Sequence, residues 1–189
     1  SYGAGRIDRC HHWLIQGMYL AVLIGAPLTA VAYGIIATLP SWGLAVEVQT
    51  LAVPYLRVVT LSLPILLIHT TCRRYLQAMN SVRPITFALV TANLVNVSVN
   101  WILIDGHFGA PRLGTVGAAW ATVLSRVYMV LVLFLAIRVR DSRHRTNLAR
   151  TTKGIDWPSL RRLSGLGLPA SLQITMEIGV FAVATALAG

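Results

Sequence analysis

Long apolar stretches, each broken by a short polar or basic segment, set the pattern of this chain. Residues 13–46 contain no charged side chain, and neither do residues 84–104 or 127–137. A helix needs roughly 20 consecutive apolar residues to cross the hydrocarbon core of a bilayer. The pattern predicts five such spans. They run over about 13–38, 51–71, 84–104 and 115–137, with a fifth that begins near Leu163 and is still running at Gly189. Pro27, Pro64 and Pro169 lie inside the first, second and fifth spans. They predict kinks or local unwinding, which membrane helices tolerate when neighbouring groups satisfy the freed carbonyls. The expected fold class is therefore all-α, a polytopic membrane protein.

The polar segments between the spans are not alike. Residues 1–12 carry net charge +1, residues 72–83 carry +3, and residues 138–162, with eight basic and two acidic side chains, carry +6. If all five spans cross, these three segments share one side. The opposite side holds 39–57, with Glu47 and Arg57, and 105–113, with Asp105 and Arg112, each neutral overall. Basic loops favour the cytoplasm, which predicts that residues 1–12, 72–83 and 138–162 are cytoplasmic at a cell (inner or plasma) membrane. Segment 138–162 reads as a cytoplasmic inter-lobe linker. It separates a four-span block, 1–137, from the first helix of a second block, 163–189. Within the linker, Trp157, Leu160 and Leu163 are expected to form a short interfacial helix capped by Asp156.

Composition agrees with the spans. Hydrophobic residues make up 56% of the 189 and charged residues 12%, against about 25% charged in soluble domains. A net charge of +10 would suggest nucleic acid in a soluble protein. Here the loop bias accounts for it, and no nucleic-acid partner is expected. Cys10 and Cys72 form no metal-ligand spacing and read as reduced cytoplasmic thiols. The chain starts at Ser1 without a signal peptide and stops inside an apolar run, so a fragment of a longer polytopic protein is expected.

Charges inside the spans are costly, at least ~2.5–3.5 kcal/mol at the bilayer centre, and mark interiors or wet cavities. Two stand out. Glu177 shares a helix face with Gln173 and Phe181, each four residues away. A carboxylate beside an amide and an aromatic ring suits a cation, a proton or a cationic organic molecule. The plainer reading is a structural glutamate held by an arginine or hydroxyl of another helix. Arg126 reads as structural, pairing with a carboxylate elsewhere or with helix carbonyls. Asn93, Asn96 and Asn100 form one helical stripe, as packing between helices or as cavity lining. Gly114, Gly117, Ala118 and Ala121 are expected at close helix contacts. The five histidines make no metal motif, and there is no H-E-x-x-H, no serine in a G-x-S-x-G setting and no paired carboxylates. Neither an enzyme nor a bound cofactor is expected.

The segments "YGAG", "RRYLQAMNSVRP", "NLVNVSVNWILIDGHFGAPRLGTVGAAWAT" and "GLPASLQITMEIGVF", in that order, resemble the multidrug and toxic compound extrusion (MATE) family. The resemblance implies a twelve-helix, two-lobe transporter of which this chain supplies about helices three to seven. It implies export of organic cations and other amphiphilic drugs or toxins, driven by Na+ or H+. The glutamate of "ITMEIGVF" matches the family's seventh-helix acid, which assigns cation coupling, with a possible Na+ site, to Glu177. Gln173 and Phe181 beside it, and Asn96 and Asn100 of "NVSVN", would line the cavity. One branch of the family has a carboxylate where this chain has Asn100, which leaves the coupled ion open. The rival within transport is a related lipid-linked oligosaccharide or polysaccharide flippase, for which Arg126 would be the relevant feature. Expected partners are small-molecule drugs or toxins and membrane lipids, and the full-length protein is expected to be a monomer.

Overall fold

The computed structural model describes residues 7–43, 45–144 and 154–188. All regular structure among them is helical: α1 (Ile7–Thr38), α2 (Val46–Thr60), α3 (Leu63–Ala78), α4 (Arg83–Asp105), α5 (Thr115–His144) and α6 (Trp157–Ala188), with short 3-10 turns at Leu39–Trp42 and His107–Gly109. The starts and stops follow local chemistry. Both α3 and α4 open with a proline in the first turn, where the missing N–H would have no partner anyway. Helix α4 ends on Gly106 at φ 76°, whose N–H reaches the Ile102 carbonyl at 3.0 Å. A Cβ at Gly106 would stand 3.0 Å from the Ala110 carbonyl oxygen, so glycine suits this turn on both counts.

Among the described residues, three helices, α1, α4 and α5, are long and apolar enough to cross a membrane. Helices α2 and α3 count as a fourth if the pair, bent by 45° at its break, is one span. The expected second span is this broken pair. The expected fifth span falls on α6, where many side chains from Gln173 onward lie outside the described residues. Of the prolines expected to disturb helices, Pro64 sits at the α2–α3 break, whereas α1 runs through Pro27 and α6 through Pro169. The short interfacial helix expected at Trp157, Leu160 and Leu163 is not a separate element. It is the first part of α6, which opens with the Leu160 N–H on the Asp156 carbonyl at 2.9 Å and the Ser159 hydroxyl on the Asp156 carboxylate. Nothing in 157–163 breaks the helical hydrogen bonding before the apolar run begins.

Two compact units divide at Lys153/Gly154. In the first, α5 is the hub. It packs along α4 and also against α2 and α3, while α1 lies along α3. The buried core gathers Cys10 and Leu14 of α1, Cys72, Tyr75 and Leu76 of α3, Ile85 and Ala88 of α4, and Leu133 and Ile137 of α5. These are the start of α1, the end of α3, the start of α4 and the later part of α5. The core therefore sits at the arginine-rich end of the bundle. Elsewhere large apolar side chains face outward, among them Leu94, Val97, Leu131 and Leu135, each more than 60% exposed. That is the surface expected of helices that meet lipid or other helices. Cys10 and Cys72 are both buried, and neither forms a disulfide among the described residues.

Helices α4 and α5 approach closely at Gly117. A Cβ there would lie 2.6 Å from the Leu103 carbonyl oxygen, a backbone atom that cannot turn aside. Ala119 and Ala121 on α5 are fully buried. Small residues permit this approach where no water drives helices together. Gly114 is a different case from the one expected. It adopts φ +53° in the turn before α5, with no neighbour within 4 Å of its would-be Cβ.

Gly117→Ala is therefore expected to cost about 1–3 kcal/mol through overpacking, read as a lower unfolding temperature of the purified protein in detergent. Gly34→Ala, at a helical site with nothing within 4 Å, is expected to leave that temperature unchanged or raise it.

Candidate functional site

Polar side chains in the first unit converge on the face of α5 that meets α4 and the α2–α3 break. Three of them form one directed chain. The Asn100 amide N–H donates to Asn96 Oδ1 at 2.9 Å, the Asn96 amide donates to the Ser125 hydroxyl at 3.1 Å, and Ser125 donates to the Ala121 carbonyl at 2.6 Å. The spacing of four residues stacks Asn96 and Asn100 on one stripe of α4. The close α4–α5 approach brings Ser125 within reach. One N–H of each amide is used in this chain. Asn100 Oδ1 is buried and has no hydrogen-bond partner among the described residues. A buried amide oxygen left in this way costs ~1–3 kcal/mol, and a water, an ammonium or a metal cation would satisfy it.

Asn93 does not join the seam. It is exposed, and its amide bonds the Leu89 carbonyl of its own helix at 2.9 Å. The stripe read from spacing thus separates into two residues that face α5 and one that does not.

Arg126 is half-buried on α5, one residue beyond Ser125. Its guanidinium donates to the hydroxyl of Ser62. Ser62 is fully buried at the break between α2 and α3, and its hydroxyl donates to the Val59 carbonyl at 2.6 Å. The backbone tightens here. The N–H groups of Leu61 and Ser62 reach back only three residues, to Val58 and Val59, and Pro64 follows without an N–H. In an apolar medium these end groups need partners. The Ser62 hydroxyl gives the Val59 carbonyl a second donor beside the Ser62 N–H, and Arg126 donates to that hydroxyl, so among the described residues this intramembrane cation meets a side chain at the helix break. Sequence reasoning missed Ser62 and the acceptor role of Ser125. The available signal was a hydroxyl two residues before an in-span proline, in "LSLP", and a hydroxyl four residues after Ala121.

Glu177 lies within α6, and the helix continues unbroken from Trp157 to Ala188. That continuity puts positions 173, 177 and 181 on one face. The side chains of Gln173, Glu177 and Phe181 lie outside the described residues, so only their register on the helix is fixed.

The model of the MatE family matches residues 1–102. The chain is 30% identical, over its full length, to a protein of Geobacillus kaustophilus named probable multidrug resistance protein NorM, of which the match covers 42%. It is 31% identical, over 98% of its length, to the multidrug resistance protein MdtK of Yersinia pestis and of Yersinia pseudotuberculosis, covering 41% of each. The chain thus spans about two fifths of the length of these curated relatives.

The contact at the helix break makes a measurable claim. Ser62→Ala and Arg126→Gln are expected to be non-additive, with a coupling of about 0.6–1.7 kcal/mol in a double-mutant cycle on unfolding in detergent. Additive effects would place the two side chains in separate roles.

Proposed function

The chain belongs to the MatE family of multidrug and toxic compound extrusion proteins, and on that footing we propose that it is part of an antiporter that exports organic cations and other amphiphilic drugs against an inward flow of Na+ or H+. The observation that carries the reading is Glu177, a carboxylate deep within the apolar helix α6. A bare carboxylate is costly in hydrocarbon. Occupancy by a proton or a metal cation relieves that cost, and so does a cationic drug. One site can then hold either the incoming ion or the outgoing cargo, but not both, which is the coupling an antiporter needs. Gln173 and Phe181, on the same helix face, would offer an amide and a ring to the organic cation.

In the first unit, the unsatisfied Asn100 oxygen at the end of the Asn96–Ser125 chain supports a wet, acceptor-lined cavity on that side as well. Alternating access would come from rocking of two lobes around a site near the midplane. Residues 138–162 would serve as the cytoplasmic connection between lobes, in a cell membrane where residues 1–12 and 72–83 also face the cytoplasm. Substrates are small-molecule drugs or toxins, the only cofactor is the coupling ion, and the full-length protein acts as a monomer. The flippase reading needs cavity arginines for a pyrophosphate. Arg126 instead spends a donor on Ser62 at the helix break, and we do not favour it.

Glu177→Gln in the natural gene product is expected to reduce gradient-driven ethidium efflux at least about tenfold in proteoliposomes, with normal expression and folding. Imposing Na+ and H+ gradients separately identifies the ion. Undiminished efflux by the variant would remove Glu177 from the coupling mechanism.

A further inference from the structure

The turn after α4 holds a strained residue that the transport reading does not use. Gly106, Phe108 and Gly109 all take left-handed backbone, at φ 76°, 56° and 79°. Glycine does so freely, but a bulky side chain is crowded there by its own backbone. Burial does not offset the strain, because Phe108 is 87% exposed. The ring is nonetheless held in place. His107 stacks on Trp101 with ring centroids 4.0 Å apart, and its Nδ1–H donates to the Trp101 carbonyl at 2.9 Å. Phe108 stands edge-on to the same indole at 5.7 Å. Strain at an exposed, positioned ring points to a partner outside the described residues. Trp101 also ends a longer feature. Phe87, Val90, Leu94, Val97 and Trp101 recur every three or four residues, so they form one stripe along α4, and each is between 50% and 67% exposed. The buried side of the same helix is built differently, from Ala88 and Ala92 and from Asn96, which bonds Ser125 of α5. Other tryptophans gather at the end of the bundle where the stripe stops: Trp42 follows α1 and Trp120 lies in the second turn of α5, and both are exposed.

We infer that this face of α4 is a bilayer contact: the stripe lies against acyl chains, and Trp101 and Phe108 seat the end of the helix in the headgroup layer opposite the arginine-rich end. Side-chain size separates lipid from a further helix as the occupant. Helices meet in membranes through small and polar residues, as α4 does toward α5. A row of large branched and aromatic side chains fits fluid hydrocarbon instead. Ring chemistry and length set the depth. Tryptophan collects at the membrane–water interface, because its body is apolar and its N–H needs a polar partner. Helix α4 has 23 residues, which span about 35 Å at 1.5 Å per residue, against about 30 Å of hydrocarbon. The turn that carries Phe108 therefore leaves the hydrocarbon at the level of the headgroups. The inference rests on insertion in a membrane and not on the cargo or the coupling ion, so loss of efflux in a Glu177 variant leaves it standing.

Photocrosslinking of the natural gene product in cell membranes tests this. The variant Phe108→p-benzoylphenylalanine keeps the phenyl ring in the turn, and Val97→p-benzoylphenylalanine reports on the middle of the stripe. On irradiation both are expected to give phospholipid adducts as the main product, read by mass spectrometry of the digested peptides. Should either variant fail to accumulate, Leu94→p-benzoylphenylalanine, on the same stripe, takes its place. A crosslink from any of these positions to another segment of the same polypeptide would mean that protein covers the face, and would overturn the inference. A crosslink to a second copy of the chain would do the same. Loss of any adduct at position 108, with lipid still captured from the stripe, would put the ring in water and overturn the anchoring role of the turn.

Discussion

A peptide group without a hydrogen-bond partner costs several kcal/mol in hydrocarbon, and this constraint shapes almost every feature of the chain. It leaves helices as the form in which these apolar segments can exist. It also sets what must happen where a helix is interrupted. At Leu61 and Ser62 the helical ladder stops, Pro64 supplies no N–H, and the path bends by 45°. Side chains gather at the interruption: the Ser62 hydroxyl donates to the Val59 carbonyl, which also accepts the Ser62 N–H, and Arg126 from α5 donates to that hydroxyl.

The same constraint acts on side-chain amides. Helices α4 and α5 come together because Gly117 lets the Leu103 backbone close in, and only at that separation can Asn96 reach Ser125. Close packing and the polar chain are thus one feature. One N–H of each amide is used within it, and the Asn100 oxygen is buried without a hydrogen-bond partner among the described residues. Arg126, the cation nearest this seam, is turned to the helix break.

Charge and packing also coincide at the other end of the bundle. The core of Cys72, Leu76, Ile85, Leu133 and Ile137 lies at the level where Arg73, Arg74, Arg83, Arg140 and Arg143 emerge from the helices. The helices are bound together most firmly where they leave the apolar region, and their remaining lengths present apolar faces to whatever surrounds them. Antiparallel neighbours place the head of α4 beside the tail of α5, which gathers Arg83, Arg140 and Arg143 at this end.

How much of this was legible beforehand depends on the range over which each feature is decided. Span positions, the all-helical class and the basic asymmetry are local sums over neighbouring residues, and 84–104 and 115–137 fall within α4 and α5 as expected. The helical register that puts 173, 177 and 181 on one face is likewise local. Spacing alone could not say which of Asn93, Asn96 and Asn100 turns toward α5, because a stripe on one helix has no partner until a second helix is placed. It could not distinguish Pro64, which breaks its span, from Pro27 and Pro169, through which the helices continue. It left the partner of Arg126 open, and that partner is a serine 64 positions away. The sequence by itself determined where the chain is apolar, where it is charged and which positions share a helical face, since those follow from bonded geometry and solvation. Only the tertiary structure decided which polar atoms meet, since hydrogen bonds act over about 3 Å and such contacts between distant residues exist only once helices are packed.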